Sequence, residues 1–235
     1  SEAVPILQGL QAIESKWGEA SVSKFVDQIS DSYLRQRTSE DKLEAGVVDL
    51  DQQEYATNKA TLALYSSYQI LGLAEFNSQL SLFFSSHRKN ETNSYANAGE
   101  LVKQLVDAGS TPKIKNTLYQ LFNETHYYDF KVDSVEVTNS EGKGYQLQAV
   151  LFATEFIYQD GKNIEIDYQG FARVQVLAEV GEKGKGEGIL YDKEIRFERG
   201  QAHLQLDFLE KPSLLLVNPQ RRLLERSAND NSFSL

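Results

Sequence analysis

The chain has 235 residues, with 34 Asp and Glu against 24 Lys and Arg, a net charge of −10 and an isoelectric point near 4.9. That balance argues against a nucleic-acid partner or an anionic membrane surface, both of which need clustered Lys and Arg. Cysteine is absent, which excludes disulfides, thiolate nucleophiles and Cys-based zinc sites. Hydrophobic residues make up 40% of the chain, below the usual globular share but sufficient for a real core. Methionine is absent even at position 1, as expected of a processed or excised piece. The longest purely aliphatic run is Leu214–Val217, far short of a membrane span, so no direct membrane insertion by this segment is expected. No secretory-signal pattern is visible in it.

From Val4 to Phe122 the apolar residues keep a helical period. Ile6, Leu10, Ile13 and Trp17 form a first stripe, and Val22, Phe25, Val26, Ile29 and Tyr33 a second. The stretch QQEYATNKATLALYSSYQ, Gln52 to Gln69, reads as a central buried helix. Asp49 or Asp51 can cap it, with Gln52 or Glu54 three residues on. Ala56, Ala60, Ala63, Ser67 and Leu71 give a close-packing face, and Leu64, Tyr65 and Tyr68 a bulkier one beside it. Phe76, Leu80, Phe83 and Phe84 follow, then Ala98, Leu101, Val102, Leu105 and Val106. Ile114, Leu118, Leu121 and Phe122 close the series, opened by Thr111-Pro112, an N-cap followed by a first-turn proline. These segments predict an α-helical bundle of about six helices.

After Tyr127 the period becomes two. Tyr145 to Ala153, Ile164 to Tyr168, Val174 to Ala178, Ile189 with Tyr191, Ile195 with Phe197, Leu204 to Phe208, and Leu214 with Leu216 all alternate. Turn signals separate them: SEGKG at 140–144, QDGKN at 159–163, GEKGKGEG at 181–188 and Arg199-Gly200. The pattern predicts an antiparallel β-sandwich of about seven or eight strands, hence an α+β protein. The expected domains are residues 1–125, helical, and 126–235, β. The polar tail RSANDNSFSL is expected to fray.

Few residues stand out for chemistry. His87, His126 and His203 are the only histidines, and none shares a metal-ligand spacing with another. His87 ends a helical stripe, which suits a contact with a helix C-terminus. GEKGKGEG lacks the order of a phosphate-binding loop and reads as a hairpin connection. Glu14 with Glu19, and Asp27 with Asp31, read as solvated helix faces. The segment YQDGKNIEIDYQGF, 158–171, could present an aromatic and acidic face to peptide or sugar, although one buried and one wet sheet face explain its alternation equally well. The polar start of the central helix, with Tyr55, Thr57, Asn58 and Lys59, is unusual for a core helix.

The ordered series YLRQR…VVDLDQQEYATNKATLALYSSYQILGLAEFNSQLSLFFSSH resembles the segment that follows the zinc site in thermolysin-like (gluzincin) aminopeptidases of the membrane-alanyl type. It is most similar to versions fused to the C-terminal side of bacterial ABC-type permeases. Asn58-Lys59-Ala60, Gly72, Phe76-Asn77 and Ala98 to Val106 carry the likeness. In the β half, LFNETHYYDFKVDSVEV looks like the family's lead-in to a C-terminal β-domain. Asn218-Pro219 and the stretch Leu224–Asn231 look like its closing pattern.

The departures from that family matter more for function. Its H-E-x-x-H and later glutamate ligand belong upstream and are not in this sequence. Its transition-state tyrosine corresponds to Thr57, and its glycine to Ala60. Tyr55, two residues earlier, stands about 200° away on a regular helix. The resemblance therefore implies a catalytically incomplete scaffold or cleft wall, in which Tyr55, Thr57, Asn58 and Lys59 are a vestigial cleft. It implies no cofactor in this chain and zinc only in an upstream part. The implied partner is that upstream part of the same polypeptide, peptidase-like and membrane domains included, at a bacterial inner membrane. Two alternatives compete with it. One is an extracytoplasmic sandwich that binds peptide or glycan through exposed Tyr158 and Tyr168. The other is a divergent hydrolase whose paired carboxylates face each other across about 5–10 Å.

Overall fold

The computed structural model describes residues 2–36, 45–49, 55–88, 97–140, 144–159, 162–178, 188–227 and 230–235. Among these residues six helices are followed by eight strands, an α+β architecture with a sandwich-like pair of antiparallel sheets. The chain forms two compact units, Ser1–His126 with Tyr158–Lys162, and Tyr127–Ile157 with Asn163–Leu235.

The first unit holds α1 (Ala3–Trp17), α2 (Glu19–Gln36), a single 3-10 turn (Val47–Asp49), α3 (Ala56–Leu71), α4 (Leu73–Arg88), α5 (Ala98–Asp107) and α6 (Pro112–Asn123). Gly18 and Gly72 both have φ of 83°, and each donates its N–H back to the helix before it, to Glu14 and Tyr68. A residue with a Cβ would be strained there, so these glycines set the breaks between α1 and α2 and between α3 and α4. The α3 helix packs against α1, α2, α4 and α6, and every residue from Thr61 to Tyr68 is buried. Thr111 caps α6 as the sequence predicts, its hydroxyl accepting from the Ile114 N–H, with Pro112 in the first turn.

Two helical readings need correction. The buried line of α1 is Ala3, Leu7 and Leu10, whereas Ile6 and Trp17 are 36% and 59% exposed. On α2 it is Val22, Val26 and Tyr33, with Phe25 left 46% exposed. The apolar stripes are real, but part of each faces outward. Likewise, α3 begins at Ala56, and Tyr55 in the N-cap position makes no side-chain capping bond. Asp49 belongs to the 3-10 turn, while Asp51, Gln52 and Glu54 lie outside the described residues.

The second unit contains most of β1 (His126–Ser140), β2 (Gly144–Gln159) and β3 (Lys162–Asp167), and all of β4 (Gly170–Ala178), β5 (Ile189–Phe197), β6 (Gln201–Phe208), β7 (Pro212–Val217) and β8 (Ser232–Ser234). One sheet runs β1-β2-β3 with β6 also paired to β2; the other runs β5-β4-β7-β8. Alternate residues of both sheets meet in one core, among them Phe130, Leu147, Leu151, Val174, Phe197 and Leu215. Arg199 and Gly200, with φ of 51° and 73°, form the tight turn that carries the chain from β5 into β6.

Three strand readings change. The predicted pairs at 189–191 and 195–197 are one strand, β5. In β7 the core positions are Leu215 and Val217, one residue out of step with Leu214 and Leu216. The tail does not fray: β8 pairs with β7, Leu214 opposite Ser234 and Leu216 opposite Ser232, and the Leu235 N–H donates to the Ser213 carbonyl. The glycine-rich stretch at 181–187 lies outside the described residues.

Candidate functional site

The polar start of α3 is where chemistry was expected, and each of its four residues has a definite place. Tyr55 is buried, its ring edge-on to that of Tyr33 at 5.9 Å between centroids. Thr57 is half-buried, and its carbonyl accepts from the Thr61 hydroxyl at 2.8 Å. Asn58 donates from Nδ2 to Ser32 Oγ and to Gln36 Oε1 of α2, each at 3.2 Å. Lys59 is only 6% exposed, and its Nζ donates to the Ala45 carbonyl at 2.7 Å and to Thr125 Oγ1 at 3.0 Å.

These bonds divide the four residues. Tyr55 and Asn58 face α2. Lys59, one residue and about 100° further round the helix, faces Ala45 before the 3-10 turn and Thr125, two residues past α6. The geometry does not suit a zinc ion. The phenol of Tyr55 lies in the aromatic packing, the Asn58 amide is engaged by α2, and an ammonium is no ligand. Among the described residues no group of three or more His, Asp or Glu side chains gathers where a metal could bind.

Asn58 does border an open apolar groove of about 420 Å³ between α1 and α2. Ile6, Leu10 and Ile13 line one wall, Phe25 and Ile29 the other, and Gln28 and Ser32 add polar edges. Trp17 lies further along α1, with Lys16 Nζ 4.6 Å from its ring centroid. A second hollow, of about 470 Å³, lies along α4 and α5, lined by Gln79, Glu100, Lys103, Gln104, Asp107 and Ala108.

The histidines are dispersed. His87 contacts the Phe83 carbonyl and Glu100, His126 Nε2 lies 2.7 Å from Glu124 Oε2, and His203 stands on the exposed face of β6. Glu14 is more than a solvated carboxylate, since it accepts the Tyr68 hydroxyl at 2.9 Å across the α1–α3 contact. Burial, and then that bond, raises the Tyr68 pKa.

In the sandwich Tyr168 is 8% exposed and packs among Tyr128, Phe130 and Phe197. Its hydroxyl donates to the Phe171 carbonyl at 3.1 Å, and burial pushes its pKa up to about 12. The exposed aromatic row needed for a peptide- or glycan-binding face therefore loses Tyr168; the side chain of Tyr158 lies outside the described residues. Tyr168, just past the end of β3, turns inward against Phe130 of β1 and Phe197 of β5, whereas Ile166, expected on the same face, is 38% exposed.

The most connected polar cluster is one the residue patterns alone did not reveal. The Glu225 carboxylate, 2% exposed, accepts from Asn218 Nδ2 at 2.5 Å, from Asn231 Nδ2 at 2.9 and 3.0 Å, and from Arg221 Nη1 at 3.5 Å. Asn218 and Asn231 also bond the carbonyls of Leu223 and Val217. Main-chain bonds between Tyr128 and both Leu224 and Arg226, and from the Val132 N–H to the Asp230 carbonyl, tie the same segment to β1. Only the family resemblance had marked Asn218-Pro219 and Leu224–Asn231. The amides of Asn218 and Asn231 are spent on Glu225 and on main-chain carbonyls, so the cluster reads as a structural clip. No protein-family model matches the chain, and no curated protein is significantly similar to it.

Proposed function

We propose that this chain is a non-catalytic scaffold or cleft wall, the rear of a larger peptidase-shaped body against which another part of the same polypeptide packs. The observation that carries this reading is the groove between α1 and α2, with Ile6 and Phe25 exposed on its rim and Asn58 of α3 at its edge. Two stripes of apolar side chains left open on neighbouring helices mark a surface built to be covered. In the first turn of α3, Asn58 is bonded to α2 and Lys59 to the Ala45 carbonyl and Thr125, which supports a structural role over a catalytic one. In this reading Thr57 stands where relatives carry a transition-state tyrosine, and zinc belongs to the upstream part. The parent is a permease-linked protein of a bacterial inner membrane. No helix among the described residues is long and apolar enough to cross a membrane.

Coexpression with the upstream part of its polypeptide tests the reading. The two parts are expected to copurify, and Phe25→Asp, which places a charge on the groove rim, is expected to weaken their association roughly tenfold or more. Equal association of the wild-type and Phe25→Asp chains would contradict the assignment of this surface.

A further inference from the structure

His87 lies in the last turn of α4, with its two ring nitrogens facing different helices. Nδ1 is 2.8 Å from the carbonyl oxygen of Phe83, and Nε2 is 2.8 Å from Glu100 Oε2 in the first turn of α5. Both partners can only accept. The third neighbour, Ser86 Oγ, is 3.2 Å from Nδ1 and already spends its own hydrogen on the Phe83 carbonyl, so it too presents lone pairs to the ring. A neutral imidazole has one N–H and can satisfy one side, whereas the imidazolium satisfies both.

We propose that His87 is a proton-operated clasp between α4 and α5, fastening the end of one helix to the start of the next while it carries two ring protons and releasing Glu100 when it loses one. The ring lies against Phe83, 4.4 Å between centroids, and the C-terminal turn of α4 favours a cation. Glu100 is the facing charge among the described residues; on α4 the ring meets only the carbonyl and ring of Phe83 and the hydroxyl of Ser86. The Phe83 carbonyl first, and Glu100 second, raise the His87 pKa above its ordinary 6.5.

A second tie has no titratable part: Gln104 Nε2 donates to the carbonyl and the side-chain oxygen of Gln79, at 2.9 and 2.8 Å. That tie holds the α4–α5 contact at every pH, so the clasp governs one end of it. Glu100 also lines the second hollow with Gln79, Lys103 and Asp107, so its release alters the charge free to act there. The sign follows from linkage: a raised folded-state value means that the stabilisation is complete below the ordinary histidine range and is lost as pH rises through the folded-state value.

Proton–nitrogen correlation spectra of the histidine rings in the full chain, recorded across pH, test this directly. Both His87 nitrogens are expected to stay protonated to a pH above the ordinary midpoint, and Glu100→Gln is expected to lower that midpoint. Amide exchange at Leu101 and Val102, corrected for its intrinsic pH dependence, should speed up roughly twofold to fivefold as the ring deprotonates. In His87→Arg, which keeps a cation throughout, that change should vanish. A midpoint that Glu100→Gln leaves unmoved, or a pH-dependent loss of protection that persists in His87→Arg, would overturn the proposal.

Discussion

Lys59 Nζ donates to Thr125 Oγ1 at 3.0 Å, so the first turn of α3 is tied to the second residue past the end of α6. The same ammonium holds the Ala45 carbonyl at 2.7 Å, and the backbone beside it is crowded. A Cβ on Gly46 would come within 3.0 Å of the Phe122 carbonyl and of Asn123 Cα. Lys59 is thereby an internal brace.

Replacing that brace has a defined consequence. Lys59→Ala removes a buried side chain and strips the Ala45 carbonyl and the Thr125 hydroxyl of a donor, with an expected cost of about 2–4 kcal/mol in urea-induced unfolding. Lys59→Met keeps the stem and should recover part of that loss. A Lys59→Ala chain as stable as wild type would mean that the ammonium is not structural.

Glu225 should matter as much to the sandwich. Glu225→Ala leaves the amides of Asn218 and Asn231 and the Arg221 guanidinium without their common acceptor, at an expected cost of about 3–5 kcal/mol. Limited proteolysis is then expected to cut the variant within residues 218–227 faster than it cuts the wild-type chain. Unchanged protection would show that the main-chain bonds to β1 suffice alone.

The pair formed by Arg173 and Asp192 predicts an acid dependence. The guanidinium meets both carboxylate oxygens at 2.5 Å, and this bidentate bond holds the Asp192 pKa below the ordinary carboxylate value of 3.8. A lowered folded-state value gives stability that is present above the ordinary range and is lost as pH falls through the folded-state value. At neutral pH Asp192→Asn should cost about 0.5–1 kcal/mol, discounted because both partners are partly exposed. Unfolding curves from neutral to strongly acidic pH should show the gap between variant and wild type closing only in acid. A gap that stays constant would assign the effect to packing.

Much of the fold was legible in the sequence, and the misplaced stripes share one cause. Period establishes that a helix or strand forms, but it does not say which way the element is turned. Ile6, Leu10, Ile13 and Trp17 read as a core stripe, yet the line of Ala3, Leu7 and Leu10 faces inward, and the side bearing Ile6 and Trp17 stays open. In β7 three consecutive leucines erase the alternation, and only the register against β4, Leu215 opposite Val176, decides that Leu215 enters the core. Thr111-Pro112 was read correctly because its chemistry is local. The clip around Glu225 was invisible in residue patterns because Asn, Arg and Glu in a polar stretch normally mark a solvated loop; their burial arises from residues far apart in the chain. At the start of α3, neighbours in sequence part company in space, since helix geometry sends Asn58 and Lys59 to different partners.

Catalytic silence of the chain is the central claim, and hydrolysis of amino-acid anilides by the purified protein, with and without a zinc chelator, tests it most directly. No turnover above the uncatalysed rate is expected in either condition, with or without added zinc. Turnover that the chelator abolishes and zinc restores would contradict it.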